Sequence, residues 1–186
     1  MAFSFNQHKD LDGKHAFLSP SKYHWVNYTP EKMLDAFSKH MTAALGTRLH
    51  AFAHNAIQLG IKLPNNNKTL NMYVNDCIGY RMQTEVPLAY SSNAFGTADA
   101  IDFTHGLLRI FDLKNGVNLA SEHQLEVYAA LFCLEYRVRP AEISYDLRIY
   151  QNDEVFEFNT NPEDIAFIMD RIIEFDKLIE SAKEEV

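Results

Sequence analysis

Asp99, Asp112 and Lys114 are the residues whose types and spacing point most directly to chemistry. Each aspartate stands in a stretch of strand character, Gly96-Thr97-Ala98-Asp99-Ala100-Ile101-Asp102 and Leu108-Arg109-Ile110-Phe111-Asp112-Leu113-Lys114. Side chains alternate faces along a strand, so Asp112 and Lys114 are expected to point the same way. A cation bound by the aspartate and an ammonium can then meet one phosphate. Cleaving a phosphodiester requires stabilising negative charge on the non-bridging and leaving oxygens while a water is deprotonated, and a divalent cation held by carboxylates serves both needs. Hard oxygen ligands suit Mg²⁺ or Mn²⁺.

The elements that must position these residues follow from periodicity and punctuation. Residues 1–17 are polar and irregular and are expected to form a flexible lead-in to a single domain over 18–186, with a short turn or helix starting at Leu18-Ser19-Pro20-Ser21-Lys22-Tyr23. Thr29 with Pro30 behind it predicts a helix start, with Leu34, Phe37, Met41 and Ala44 or Leu45 at helical spacing and an end or bend at Gly46. Thr47 to Leu59 predicts a second helix, with Leu49, Phe52, Ala56 and Leu59 on one face, His50, His54 and Ile57 on a neighbouring one, and Gly60 as the stop. Leu70 to Met82 predicts a third. Glu85–Tyr90, Phe95–Phe103 and Leu107–Leu113 then predict strands in an antiparallel meander. Ser121 is expected to cap a helix reaching about Val138 before Pro140, and two strands, Ile143–Ile149 and Val155–Phe158, turn at Gln151-Asn152-Asp153. The last helix opens at Asn161-Pro162-Glu163 and carries Ile165, Ile168, Ile172, Phe175 and Ile179 as a core-facing stripe. The fold class is α/β (α+β), a mixed central sheet flanked by helices in the order α-α-βββ-α-ββ-α.

The 186 residues suffice for one core without staples. Cys77 and Cys133 match no metal-cluster spacing, which points to buried thiols in a reducing, cytoplasmic compartment. No run approaches the roughly 18 apolar residues of a membrane helix. The formal charge of −8, from 17 basic and 25 acidic residues, argues against a genome-coating protein, because non-specific affinity comes from cations neutralising phosphates.

Four elements in order, Gly46-Thr47-Arg48-Leu49-His50, Asp99, Asp112-Leu113-Lys114 and Gln124-Leu125-Glu126-Val127-Tyr128, resemble the PD-(D/E)xK nuclease superfamily, and within it the RecB-like exonuclease branch with its G-x-x-x-H, D…(D/E)-x-K and Q-x-x-x-Y motifs. Leu18-Ser19-Pro20-Ser21 is similar to the Ser-x-Ser segment near the start of many members, so the likeness covers roughly residues 18–150. It implies a restriction-endonuclease-like core and a metal-dependent deoxyribonuclease, of the small stand-alone phage type. Asp99 and Asp112 are the expected metal ligands, joined by the backbone carbonyl of Leu113 and by His50, whose imidazole favours Mn²⁺; Glu85 is a further ligand, direct or through water. Lys114 would orient the attacking water or steady negative charge. Gln124 and Tyr128 share a helix face and are expected to point at Lys114 and the incoming strand. Arg48, Arg81 and Arg109 are candidate phosphate contacts.

Each residue also has a plainer role open to it. Asp112 to Gly116 reads alone as a polar strand end entering a turn; Gln124 fits a capping box with Ser121; Tyr128 fits a half-buried aromatic with a wet hydroxyl. His50 and His54 have the spacing of a helical zinc pair, but Ala51 stands where a metalloprotease carries glutamate, so His54 is expected on the helix surface or behind the metal. Asp102 falls at odd spacing from Asp99 and is expected on the other sheet face, and with His105 is left out of the site. Four cysteines that hold an iron–sulfur cluster in many RecB-like nucleases have no counterpart, so no cluster is expected, and Ala98 replaces the usual proline. The expected function is an exonuclease acting at DNA ends or on single strands in recombination, repair or phage DNA processing, in a bacterial or phage-infected cytoplasm, with a recombination partner protein and a strand-retaining homo-oligomer as expected associations. The alternative is a non-catalytic nuclease-fold interaction protein or decoy.

Overall fold

The computed structural model describes residues 16–116 and 120–184, so most of the expected lead-in lies outside the described residues. The chain divides into two compact units, 1–45 and 46–186, where the sequence predicts one boundary near residue 17.

In the first unit, a 3-10 segment at Pro20–Asn27 precedes α1 (Pro30–Gln58). Trp25 Nε1 donates to the Ser19 carbonyl at 3.1 Å, and Thr29 Oγ1 accepts the Lys32 amide at 3.3 Å, the cap expected from the sequence. Leu34, Phe37, Met41 and Leu45 are exposed.

The helix does not end at Gly46 as expected but continues to Gln58. One glycine costs a helix only about 1 kcal/mol relative to alanine, and this one is buried for another reason. A Cβ there would lie 2.9 Å from Asn115 Nδ2, so the glycine lets α1 approach the residue after Lys114. The stop at Gly60 is as expected, in the left-handed region at φ +66.

The second unit is α+β. Its five-stranded sheet is built from β1 (Gln83–Ser91), β2 (Ala94–Thr104), β3 (Leu107–Leu113), β4 (Ser144–Gln151) and β5 (Glu154–Phe158), in spatial order β1-β2-β3-β4-β5. The first three strands form the expected antiparallel meander; β3 and β4 are parallel, joined by a crossover through α3 (His123–Tyr136), and β5 returns antiparallel. A parallel pair needs such a crossover. Leu108 and Ile110 of β3 pack with Leu125, Ala129 and Ile165 of α3 and α4 (Pro162–Glu184). Phe111 and Leu113 pack on the other face with Ala53 and Ile57 of α1 and Tyr73, Val74 and Cys77 of α2 (Thr69–Tyr80). Helices on both faces explain why β3 carries apolar residues on both sides, whereas β4 alternates Tyr145, Leu147 and Ile149 with Asp146 and Arg148.

Two further expectations change. Helix α3 begins at His123 with Glu122 at its cap position, although Ser121 Oγ still accepts the His123 amide at 3.3 Å, and ends at Tyr136 because Arg137 turns left-handed, ahead of Pro140. In α4 the stripe is core-facing only in its first half: Ile165 is buried, whereas Phe175 and Ile179 are 46% and 42% exposed. Among the described residues no helix is long and apolar enough to cross a membrane.

Candidate metal centre

The sheet is deformed where the candidate residues gather. The β1–β2 ladder runs regularly through Thr84↔Ala100 and Val86↔Ala98, but Glu85, facing Asp99 between them, is left-handed at φ 55. The β2–β3 ladder stops at Ala100↔Phe111, one step before Asp99 would meet Asp112. The strands separate beyond that step, and Asp99 Oδ2 fills the opening by accepting the Leu113 amide at 3.0 Å.

His50, on α1, brings Nδ1 to 3.3 Å from the same Asp99 oxygen. Glu85 completes the group: one ligand atom each from His50, Glu85 and Asp99 lie within 4.8 Å of one another. The donor set is one imidazole and two carboxylates, suited to Mn²⁺ and, less so, Mg²⁺. The sequence treats Asp99 and Asp112 as the primary pair and Glu85 as accessory; in the structure Glu85 joins His50 and Asp99, and Asp112 lies beside them.

Asp112 is 2% exposed. Lys114, on the same strand face as expected from period-2 alternation, places Nζ 3.2 Å from Oδ1 and 2.9 Å from Oδ2. The Oδ2 contact is off the line that a hydrogen bond requires, so this buried oxygen has no hydrogen-bond partner. A buried acceptor left in that state is costly, and a cation between the carboxylates would satisfy it, so the residues fit a metal.

Electrostatics point the same way. The Asp112 carboxyl is held above its usual range, first by burial and then by the Asp99 charge, with Lys114 and His50 opposing. The His50 imidazole is held above its usual value chiefly by its bond to Asp99, against burial, with help from the charges of Asp99, Asp112 and Glu85. Negative charge is therefore concentrated beyond what Lys114 neutralises.

Two side chains of α3 close the arrangement. Gln124 Oε1 accepts from Lys114 Nζ at 2.8 Å, rather than forming a capping box with Ser121. Tyr128 reaches over β2, its hydroxyl donating to the Thr97 carbonyl at 2.6 Å. Gly96 makes room for that ring, since a Cβ there would stand 3.0 Å from Tyr128 Cε1. Tyr128 thus meets the backbone before Asp99, while Gln124 alone reaches Lys114.

The arginines divide. Arg109 stands at odd spacing from Asp112 and lies on the opposite sheet face, 3.2 Å from Asp102 and 3.4 Å from Asp146, over the ring of Tyr80. These partners occupy it, which makes it unsuited to the phosphate role expected from its position in the sequence. Asp102 shares that face with Arg109. Arg48 and Arg81 are exposed, on α1 and at the end of α2. His54 lies behind the centre, Nδ1 2.7 Å from Thr84 Oγ1.

A groove of about 470 Å³ opens beside Lys114, lined by Leu49, Lys68, Leu70, Asn115 and Asn152 among others. Lys68 is paired with Asp153 at 2.6 Å. Sequence reasoning missed Lys68 because nothing near it in the chain signals chemistry; only the tertiary fold brings α2 alongside the end of β3. Compared with protein-family models, with curated proteins and with solved structures, the chain matches none.

Proposed function

We propose that the chain is a metal-dependent deoxyribonuclease of the PD-(D/E)xK type, with a RecB-like, restriction-endonuclease-like core, and that it acts as an exonuclease. The observation that carries this reading is the convergence of His50, Glu85 and Asp99 at the point where β2 and β3 part, with buried Asp112 and Lys114 alongside. The four motifs that suggested the family supply Gly46, which admits α1, and every one of these residues except Glu85.

His50, Glu85, Asp99 and Asp112, with the Leu113 carbonyl, would hold Mg²⁺ or Mn²⁺. Bound there, the cation would supply charge stabilisation and an acidified water. Lys114, steered by Gln124, presents its ammonium to a non-bridging phosphate oxygen and donates a hydrogen bond as charge builds there. Asp112 keeps that ammonium on its strand face. Tyr128 holds β2 at Thr97 and so fixes the approach of Asp99. Arg48, Arg81, Gln124 and Tyr128 remain the side chains proposed to meet the DNA strand.

The decoy alternative is favoured by the net charge of −8, which gives the free protein little attraction for DNA. One experiment separates these readings: linear duplex, covalently closed circle and single-stranded DNA are incubated with the protein in Mn²⁺, Mg²⁺ or EDTA. Metal-dependent loss of the linear forms alone supports the exonuclease. Cutting of the closed circle makes it an endonuclease, and no cleavage of any substrate favours the decoy.

A further inference from the structure

Glu85 is a glutamate in left-handed backbone inside a strand, a conformation that non-glycine residues rarely adopt and that persists only when the surroundings impose it. The strand shows where the imposition acts. Thr84 and Val86 should share a face, two residues apart. Instead Thr84 faces α1, while Val86 packs with the cluster under α3. The face changes at Glu85.

What grips the strand just before that change is a hydroxyl. Thr84 is only 8% exposed, and its Oγ1 lies 2.7 Å from His54 Nδ1 and accepts from Gln58 Nε2 at 3.2 Å. His50, His54 and Gln58 succeed one another at one-turn intervals along a single edge of α1. That edge therefore presents a candidate ligand at His50 and, one and two turns on, the two groups that hold β1 beside the other candidate ligand, Glu85.

We propose that Thr84 is a positioning residue for the metal centre: its hydroxyl, clamped by His54 and Gln58, fixes the left-handed turn at Glu85 and so aims that carboxylate at His50 and Asp99. The inference rests on reading those three residues as a metal site. Without the clamp, β1 is free to relax into ordinary alternation, which carries the Glu85 side chain away from its partners.

The test is calorimetric titration of Mn²⁺ into the full chain for wild type, Glu85→Gln, Thr84→Val, Thr84→Ser and His54→Leu. Groups behind a ligand typically change metal affinity by about 10- to 100-fold, so Thr84→Val and His54→Leu are expected to weaken Mn²⁺ binding about tenfold, approaching Glu85→Gln. Thr84→Ser, which keeps the hydroxyl, is expected to bind as wild type, a rescue that loss of packing alone would not give. If Glu85→Gln weakens binding but both Thr84→Val and His54→Leu bind as wild type, the positioning role is refuted and the metal site stands. Equal loss in Thr84→Ser and Thr84→Val also refutes it. If wild type takes up no Mn²⁺, or Glu85→Gln binds unchanged, the metal reading falls and takes the inference with it. Should Thr84→Val fail to fold, His54→Leu and Thr84→Ser carry the comparison.

Discussion

Replacing Asp112 by asparagine is expected to stabilise the metal-free protein while impairing its response to metal. Burial and the Asp99 charge hold the folded Asp112 carboxyl above its usual range. The unfolded chain, ionising near pH 4, therefore gives up this proton first. Stability is lost as pH rises from that value through the raised folded one, and the loss persists at neutral pH. Asparagine resembles the protonated carboxyl: it keeps the shape, leaves one oxygen to accept from Lys114 and removes the buried charge that Asp99 opposes, although its amide nitrogen then stands beside the ammonium. Removing a buried charge that burial and Asp99 disfavour is worth about 1–3 kcal/mol. Against it stands the lost ion pair with Lys114, which is 30% exposed and keeps Gln124, leaving a net gain of about 1 kcal/mol. For a chain of this size that raises Tm by roughly 2–4 °C.

The assay is thermal unfolding at pH 7.5 in EDTA and in excess Mn²⁺. A cation at 100 times its Kd stabilises wild type by about 2.7 kcal/mol, and the variant, short of one negative ligand, gains much less. The two proteins should therefore exchange rank between EDTA and Mn²⁺. A variant that melts below wild type in EDTA would show that the Asp112–Lys114 pair is a net stabiliser. An equal Mn²⁺ gain in both would show that Asp112 does not face the cation.

Lys114→Ala is expected to lower cleavage by about 10²–10³-fold and leave Mn²⁺ binding near wild type in calorimetry; loss of metal as severe as in Asp99→Ala would reassign the lysine. Because His50 is held above its usual pKa, its proton competes with metal, and Mn²⁺ affinity should rise with pH through that elevated value, a dependence that His50→Gln flattens. In metal-free protein the His50–Asp99 pair stabilises fully below the unfolded histidine pKa and fades as pH climbs through the folded one, so urea midpoints of wild type and His50→Gln should converge at high pH. Tyr128→Phe removes the bond to Thr97 and should cost about 1 kcal/mol in urea unfolding, whereas Gly96→Ala, whose new methyl would press the ring at 3.0 Å, should lower both stability and cleavage; unchanged values for both variants would detach Tyr128 from β2.

Much of this geometry was legible in the sequence wherever a fixed period governs it. Alternation places Asp112 with Lys114, and the meander, the crossover helix and the Asn152-Asp153 hairpin follow from local punctuation. Where backbone departs from the period, the sequence is silent. Glu85 owes its direction to a left-handed residue that glutamate composition does not announce, and Asp99 owes its role to a ladder that stops. Gly46 looks like a helix stop because the partner requiring its small size, Asn115, is brought there only by the tertiary fold. Arg109 looked available for phosphate because its partners Asp146 and Tyr80 lie far off in the chain.

The start of α2 is completed from across the fold. Lys68, at its cap position, contributes no side-chain cap; Asp153, in the β4–β5 turn, accepts the Thr69 amide at 3.0 Å, and Thr69 Oγ1 accepts the Asp153 amide at 2.7 Å. A cap drawn from so distant a residue cannot assist the helix until that long loop has closed. The first turn of α2 should thus be a late event in folding, with φ-values near zero, and its amides should exchange in step with those of the β4–β5 hairpin, as one cooperative unit. The wall of the groove beside Lys114 is then assembled last, after the sheet that carries the acidic residues.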